Sequence, residues 1–440
     1  MSHLLKPRLG ETLPSVARAE GSWVWDTDGR RYLDGSSGAI VVSLGHGHPE
    51  VLRALREQSE RVTYAVRAQF TNADAERLAT RLAELAPGDL DAVFLVNSGS
   101  EAVEAAIKFA LQYWSERGRP GKHRFISRHG SYHGTTLGGL SLSGHPVRRR
   151  HFEPLLHPFP AVPQPSRYRC AASAGCPPCD LSCADAFDAA IRAAGADQVA
   201  AVIVEPVVGA TGGAVVAPPG YHQRLREICD RHDVLLIADE VLTGVGRCGA
   251  FLAMERWDTV PDLVALGKGL GAGYVPVAAV LASSRVVGAI GAGSGQFTSG
   301  HTYSANPLAA AVANTVVDIT VRDGLAERAR RLEPVLGAAL GDLLESHPLL
   351  GDVRGLGLLW GLELVADRAS RRPFPRDGLV TERFIAVCQA NGLLLYPASD
   401  GVNDAVLVGP PLNVSEADLD ELVSRIDASL TALEAEVGLS

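Results

Sequence analysis

The stretch VLLIADEVLTGVGRCG, residues 234–249, carries the reading that decides the fold. Four apolar residues, Val234 to Ile237, run through Ala238 into Asp239 and Glu240, the pattern of a buried strand that ends on acidic groups. A second stretch, PDLVALGKGLGAG at 261–273, has the same form: a short apolar run, Leu263 to Leu266, followed by Gly267-Lys268-Gly269. A third, FLVNSGSEAVEAAIKFA at 94–110, ends a strand at Val96 and opens a helix through Ser98-Gly99-Ser100. In an open α/β sheet ligands gather beyond the carboxyl ends of the strands, so three such ends carrying polar residues outline one site.

The flanking sequence supplies the rest of such a sheet. Helices are predicted over Ala73 to Leu85, Ser100 to Glu116 and Pro219 to His232, and strands over Ala92 to Val96, Lys122 to Ser127, Val199 to Val204 and Val275 to Leu281. Short apolar strands alternating with amphipathic helices imply a mostly parallel sheet covered on both faces. Upstream, GSWVWDTDGRRYLD at 21–34 alternates around Asp28-Gly29 as a hairpin does, and a helix is expected from Glu50 to Arg61. Beyond Asn306-Pro307 a helical region reaches Leu344 with a break near Asp323-Gly324. The carboxyl-terminal part mixes strands, Gly357 to Val365 and Ala405 to Val408, with helices, Leu379 to Asn391 and Ser415 to Glu434. The expected division is a large domain at 66–325 and a smaller α+β domain made of 1–65 and 326–440.

Composition bounds the function. The 440 residues, 46% of them hydrophobic, suffice for a large core. The net charge of -9 and the lack of a lysine-rich arm argue against nucleic acid as a partner. The densest basic run, Arg148-Arg149-Arg150, reads as a solvated loop or a subunit contact. No secretory signal opens the sequence and no apolar run reaches membrane-spanning length, so a cytoplasmic protein with no membrane partner is expected.

Each strand end has a chemical and a bland reading. The N–H groups that open the helix after Val96 suit a phosphate, although Glu101 fits simple capping equally well. Asp239 suits a protonated ring nitrogen; magnesium beside a nucleotide is the competing reading, but no GxxxxGK[ST] segment accompanies it. Lys268, flanked by glycines that leave room at its amine, suits an imine with an aldehyde cofactor, though a lone lysine after a strand is usually a surface residue. Together the three supply the anchors of one cofactor, with a generic α/β enzyme as the alternative.

Five motifs then carry a family resemblance from about Gly21 to the carboxyl terminus: NSGSEAVEAAIK at 97–108, YHG at 132–134, ADEVLTGVGRCG at 238–249, LGKGLGAGYVP at 266–276 and HTYSANPLA at 301–309. In combination they resemble the class III, omega-type aminotransferases of the fold type I pyridoxal-phosphate (PLP) enzymes. The resemblance implies that Gly99 and Ser100 bind the cofactor phosphate, Tyr132 stacks on the pyridine ring with His133 beside it, and Asp239 pairs with the ring nitrogen. It implies a Schiff base on Lys268, a place near the substrate side of the cofactor for Glu205, and a homodimer with shared active sites in which Thr302 reaches the neighbouring subunit's cofactor phosphate. The bland readings are core packing for Tyr132, a structural histidine for His133 and a helix cap for Thr302. The implied activity is ping-pong transfer of an amino group between small-molecule amine and carbonyl substrates, with Lys268 and Asp239 as catalytic residues. An amino-acid epimerase, a decarboxylase and a catalytically silent homologue stand as alternatives, the last at odds with the retention of Asp239 and Lys268.

Two features depart from the common pattern. Relatives that grip an α-carboxylate place an arginine shortly before a Pro-Pro-Leu segment, whereas DAVLVGPPLNVSE at 404–416 has none between Asp404 and Pro410. An arginine fork binds a carboxylate through two parallel hydrogen bonds, so its absence favours an amine or omega-amino acid unless a distant arginine replaces it. The second is YRCAASAGCPPCDLSCAD at 168–185, where Cys170, Cys176, Cys179 and Cys183 have a spacing that zinc or an iron–sulfur cluster can use. Free thiols or a local disulfide are the preferred reading, and no metal is expected in the site.

Overall fold

The computed structural model describes residues 3–6, 8–170 and 179–438. Its centre is a seven-stranded sheet in the spatial order Ala92–Val96, Ala278–Ala282, Leu263–Leu266, Leu235–Asp239, Val199–Val204, Arg124–Arg128, Ala161–Val162. Ala278–Ala282 runs antiparallel to both of its neighbours, and the other strands all point one way. The expectation of a mostly parallel sheet is met, with one strand reversed.

Strand alternation explains how one sheet feeds two cores. Val202, Val204, Leu236 and Ala238 pack on one face with Leu78, Phe187, Leu225 and Ile228 from the helices Ala73–Leu85, Ser182–Ala194 and Tyr221–Arg231. Ala201, Ile203, Leu235 and Ile237 pack on the other with Ala102, Ala106 and Trp114 of the helix Gly99–Glu116. Because both faces are covered, the central strands VAAVIV, LLIAD and LVAL are buried throughout, which is why they read as continuous apolar runs. The Trp114 indole N–H, buried under that helix, donates to the Ala200 carbonyl at 2.9 Å.

The smaller domain joins both ends of the chain. Leu350–Leu356, Leu359–Leu364, Asp404–Val408 and Tyr396–Pro397 form an antiparallel sheet. The amino-terminal strands Val16–Glu20, Trp23–Asp26 and Arg31–Asp34 form a meander, and Leu393–Leu394 adds to it in parallel. The 21–34 hairpin is present as expected, with one further strand before it. The strand expected over Gly357 to Val365 is the second arm of a hairpin, because Gly357 turns the chain at φ 61°. The expected helical break also falls where a glycine permits it: Pro307–Arg322 ends, Gly324 takes φ 59°, and Leu325–Ser346 begins.

The helix Pro307–Arg322 ties the two halves, with Ala310, Ala313 and Val317 in the sheet core and Val312, Val316 and Ile319 in the core of the smaller domain. Among the described residues no helix is long and apolar enough to cross a membrane.

Candidate active site

Strand register brings Asp239 and Lys268 to the same edge of the sheet. Leu235–Asp239 and Leu263–Leu266 are parallel neighbours with Asp239 opposite Ala265, and Lys268 lies three residues beyond that point. Ala92–Val96 points the same way two places further across the sheet, so the start of the helix Gly99–Glu116 opens onto this edge.

That helix start is built for an anion. Ser98 caps it, its Oγ accepting the Glu101 N–H at 3.2 Å, and the Glu101 carboxylate accepts the Asn97 backbone N–H at 2.8 Å. The first-turn N–H groups of Gly99 and Ser100 have no acceptor within the helix. Close packing leaves no room for larger residues nearby: a Cβ at Gly99 would lie 2.5 Å from Val241 Cγ1, and one at Gly134 would lie 2.6 Å from Ser100 Oγ. Gly134 also has φ +98°, a backbone only glycine adopts without strain.

Asp239, 5% exposed, directs Oδ2 at His133 Nδ1, 2.8 Å away, while Oδ1 accepts the Val241 N–H at 3.2 Å. The other ring nitrogen of His133, Nε2, is buried without a hydrogen-bond partner. Glu205, also 5% exposed, accepts the Tyr132 N–H at 3.1 Å and the Gly209 N–H at 3.0 Å. Burial pushes its carboxyl pKa up, against the pull of His133 and Arg128. Both Glu205 oxygens are thus engaged by backbone, which fixes Tyr132 from behind.

Lys268 stands in a left-handed backbone conformation, φ 39°, at the start of a tight turn whose Gly271 and Ala272 N–H groups bond back to its carbonyl. Strain of this kind persists only where the surroundings enforce it. Burial pushes the Lys268 amine below the ordinary lysine value, although Asp239 and Glu205 pull it upward.

Gly99, Ser100, Tyr132, His133, Glu205, Asp239 and Lys268 all line one cavity of about 180 Å³. Thr302 does not; it is exposed, in the segment between the helices Ser284–Ala292 and Pro307–Arg322. The cavity walls also include Val103, Val207, Val241 and Leu242, which sequence reasoning did not assign. Val241 and Leu242 follow Asp239-Glu240 directly, so they could have been found as the apolar end of that motif. Glu240 turns away from the cavity, its carboxylate accepting the N–H groups of Ala253 and Met254 at 2.8 and 2.9 Å, and burial raises it to about 7. The magnesium reading of Asp239-Glu240 therefore fails: the two carboxylates have different partners on different sides.

A larger cavity of about 350 Å³ lies nearby, lined in part by Cys170, Cys179, Cys183, Arg169 and Arg354. The strand-end groups converge in the smaller one, which is the chemically organised site. Burial pushes the Cys183 thiol up to about 11, an inert state. Cys176 lies outside the described residues, and among those described no group of three or more His, Cys, Asp or Glu residues is placed to hold a metal ion.

A helix start for phosphate, a buried carboxylate, an amine with lowered basicity and apolar walls fit a flat aldehyde cofactor that carries a phosphate. Comparison with known proteins agrees. The family model described as aminotransferase class-III matches residues 6–430. An uncharacterized aminotransferase of Bacillus subtilis, YodT, is 44% identical over 98% of this chain and 98% of its own length. Among solved structures, an (S)-enantioselective omega-transaminase from Thermomicrobium roseum superposes with a TM-score of 0.93 at 34% identity, covering 98% of this chain and 96% of that one. An amine transaminase from an uncultivated Pseudomonas species in its PLP-bound form gives 0.92 at 33% identity, covering 98% and 99%.

The chain belongs to the class-III aminotransferases. It is a fold type I, PLP-dependent enzyme that works by a ping-pong mechanism on small-molecule amine and carbonyl substrates. Nothing in the comparisons favours the epimerase, decarboxylase or silent-homologue alternatives.

Proposed function

We propose that this enzyme moves the amino group of a primary amine or omega-amino acid to a keto acid or aldehyde, with Lys268 as the proton-moving residue. The observation that carries the reading is the convergence of Lys268, Asp239 and the start of the helix Gly99–Glu116 in one cavity. The arginine-free segment between Asp404 and Pro410 supports a donor whose nitrogen is not beside a carboxylate.

When bound, the cofactor supplies the aldehyde and the electron sink of the reaction. Gly99 and Ser100 hold the phosphate by N–H groups that the helix leaves free. Tyr132 lies against the ring, and Asp239 keeps a negative charge opposite the ring nitrogen, oriented by His133 at 2.8 Å. Glu205 acts through position, holding the Tyr132 and Gly209 backbone. Lys268, with its basicity lowered by burial, is poised to hold the aldehyde and to take or return a proton at the carbon bearing the substrate nitrogen.

Thr302 completes the site of a second copy in a homodimer. Its exposure away from the cavity of its own chain supports this, as do the exposed aromatics Tyr64, Phe70 and Tyr303. A cytoplasmic location is supported by the unpaired thiols of Cys179, Cys183, Cys229, Cys248 and Cys388.

Adding benzylamine alone to the cofactor-loaded enzyme tests the reading. The expected outcome is a shift of the cofactor's visible absorbance into the near ultraviolet with release of benzaldehyde, reversed by pyruvate. An unchanged spectrum with benzylamine, together with conversion by α-amino acids alone, would overturn the assignment of donor class.

A further inference from the structure

The missing arginine before Pro410 leaves a question that the side chains answer: where does a carboxylate-bearing substrate find its cation? Four arginines are the candidates by position. Arg247 donates through Nη1 to the carbonyls of Leu358 and Pro410 at 3.0 and 2.6 Å and is buried. Arg128 is wholly buried, donates to the Glu205 carbonyl at 2.6 Å and does not line the cavity. Arg149 is tied to the carbonyls of Leu140, Ser141 and Ser143 at 2.9–3.0 Å and to Glu153 at 2.9 Å. Arg148 differs from all three. Its guanidinium carbon lies over the Tyr132 ring, 4.6 Å from the centroid, and among the described residues no carboxylate lies within ion-pair distance of it.

The Tyr132 ring is a wall of the cavity that holds Lys268. A guanidinium resting by its face on a ring keeps its in-plane N–H fork available, the geometry that binds a carboxylate through two hydrogen bonds. The side chain is partly exposed, so a ligand can reach it from the mouth of the cavity. Its field is also felt inside: Arg148 contributes to the depression of the Lys268 amine and offsets part of the rise at the Tyr132 phenol.

We propose that Arg148 is the specificity-determining residue that grips the substrate carboxylate, taking over from sequence-distant structure the task that the segment before Pro410 leaves undone. The proposal deepens the amino-transfer reading above and rests on it for the identity of the substrates. Carboxylate-bearing partners, the keto acid and the omega-amino acid, would be held by the arginine fork on the outer side of Tyr132, whereas simple amines and aldehydes would use the apolar walls.

Calorimetric binding to the cofactor-loaded enzyme tests this without turnover, with benzoate as the charged probe and benzamide as its neutral counterpart of the same shape. In Arg148→Gln the preference for benzoate over benzamide should fall by about tenfold or more, the scale of a lost charge-assisted pair. Arg148→Lys should recover part of it, since charge without the planar fork is a weaker grip. In turnover, kcat/KM for pyruvate should fall relative to benzaldehyde by a similar factor. A benzoate-to-benzamide preference that stays within about threefold of wild type in Arg148→Gln would overturn the proposal, as would a wild-type enzyme that does not prefer benzoate. Failure of the amino-transfer reading would show separately, as a wild-type enzyme inert to benzylamine.

Discussion

Lys122 and Lys268 sit at opposite edges of the same sheet, and the fold treats them in opposite ways. Lys122 precedes the strand Arg124–Arg128 at the amino-terminal edge, and Lys268 follows Leu263–Leu266 at the carboxyl-terminal edge. Both are drawn out of bulk water and both have their amines pushed down by burial, Lys122 to about 8. Lys122, 1% exposed, spends its amine on the Ala196 carbonyl at 2.8 Å and on the face of Trp114, 4.3 Å from the ring centroid. Lys268 faces a cavity, on a strained backbone, beside two buried carboxylates. Burial alone therefore does not mark a catalytic lysine; a lowered amine left free to meet a ligand does.

Substitution should separate the two edges. Lys268→Ala should lower the transfer rate by about a thousandfold or more while the melting temperature changes little, because it removes a proton-moving group and relieves a strained position. Steady-state rates with benzylamine and pyruvate check this; near-normal turnover would erase the distinction. Lys122→Ala should do the reverse. Turnover should stay within about twofold, while stability to denaturant falls by about 1–3 kcal/mol through an unpaired carbonyl and a cavity beside Trp114.

The smallest effect is in pH dependence. For Lys122 the folded value of about 8 lies below the ordinary 10.5, so between those two values the unfolded chain binds more protons. Its contribution then makes stability rise with pH across that window, and below about pH 8 burial of the charged form is a constant cost. The difference in unfolding free energy between wild type and Lys122→Ala should grow over that window and flatten outside it. A difference independent of pH would place the Lys122 amine in water.

The same contrast explains what the sequence could disclose. Strands buried on both faces read as apolar runs, so LLIAD, LVAL and VAAVIV were legible, and the polar residues that end them were legible with them. The direction of Ala278–Ala282 was not, because an apolar run of this length does not encode which way it lies in a sheet. The pairing of His133 with Asp239, 106 residues apart, depends on strand order and could enter only through family resemblance. Arg148 was hidden for a different reason: within Arg148-Arg149-Arg150 the neighbours diverge in space, one onto a cavity wall and the next into backbone carbonyls. Glu205 shows the converse, a residue placed correctly at the cavity whose oxygens are nonetheless taken by backbone N–H groups.

The most direct test of the central claim uses the scarcity of lysine. The sequence has four, Lys6, Lys108, Lys122 and Lys268, so a covalent mark can be assigned without ambiguity. Borohydride reduction of the cofactor-loaded protein, followed by peptide mass spectrometry, should place a pyridoxyl adduct on Lys268 and leave Lys122 unmodified. An adduct on any other lysine, or none in protein that retains activity, would contradict the account.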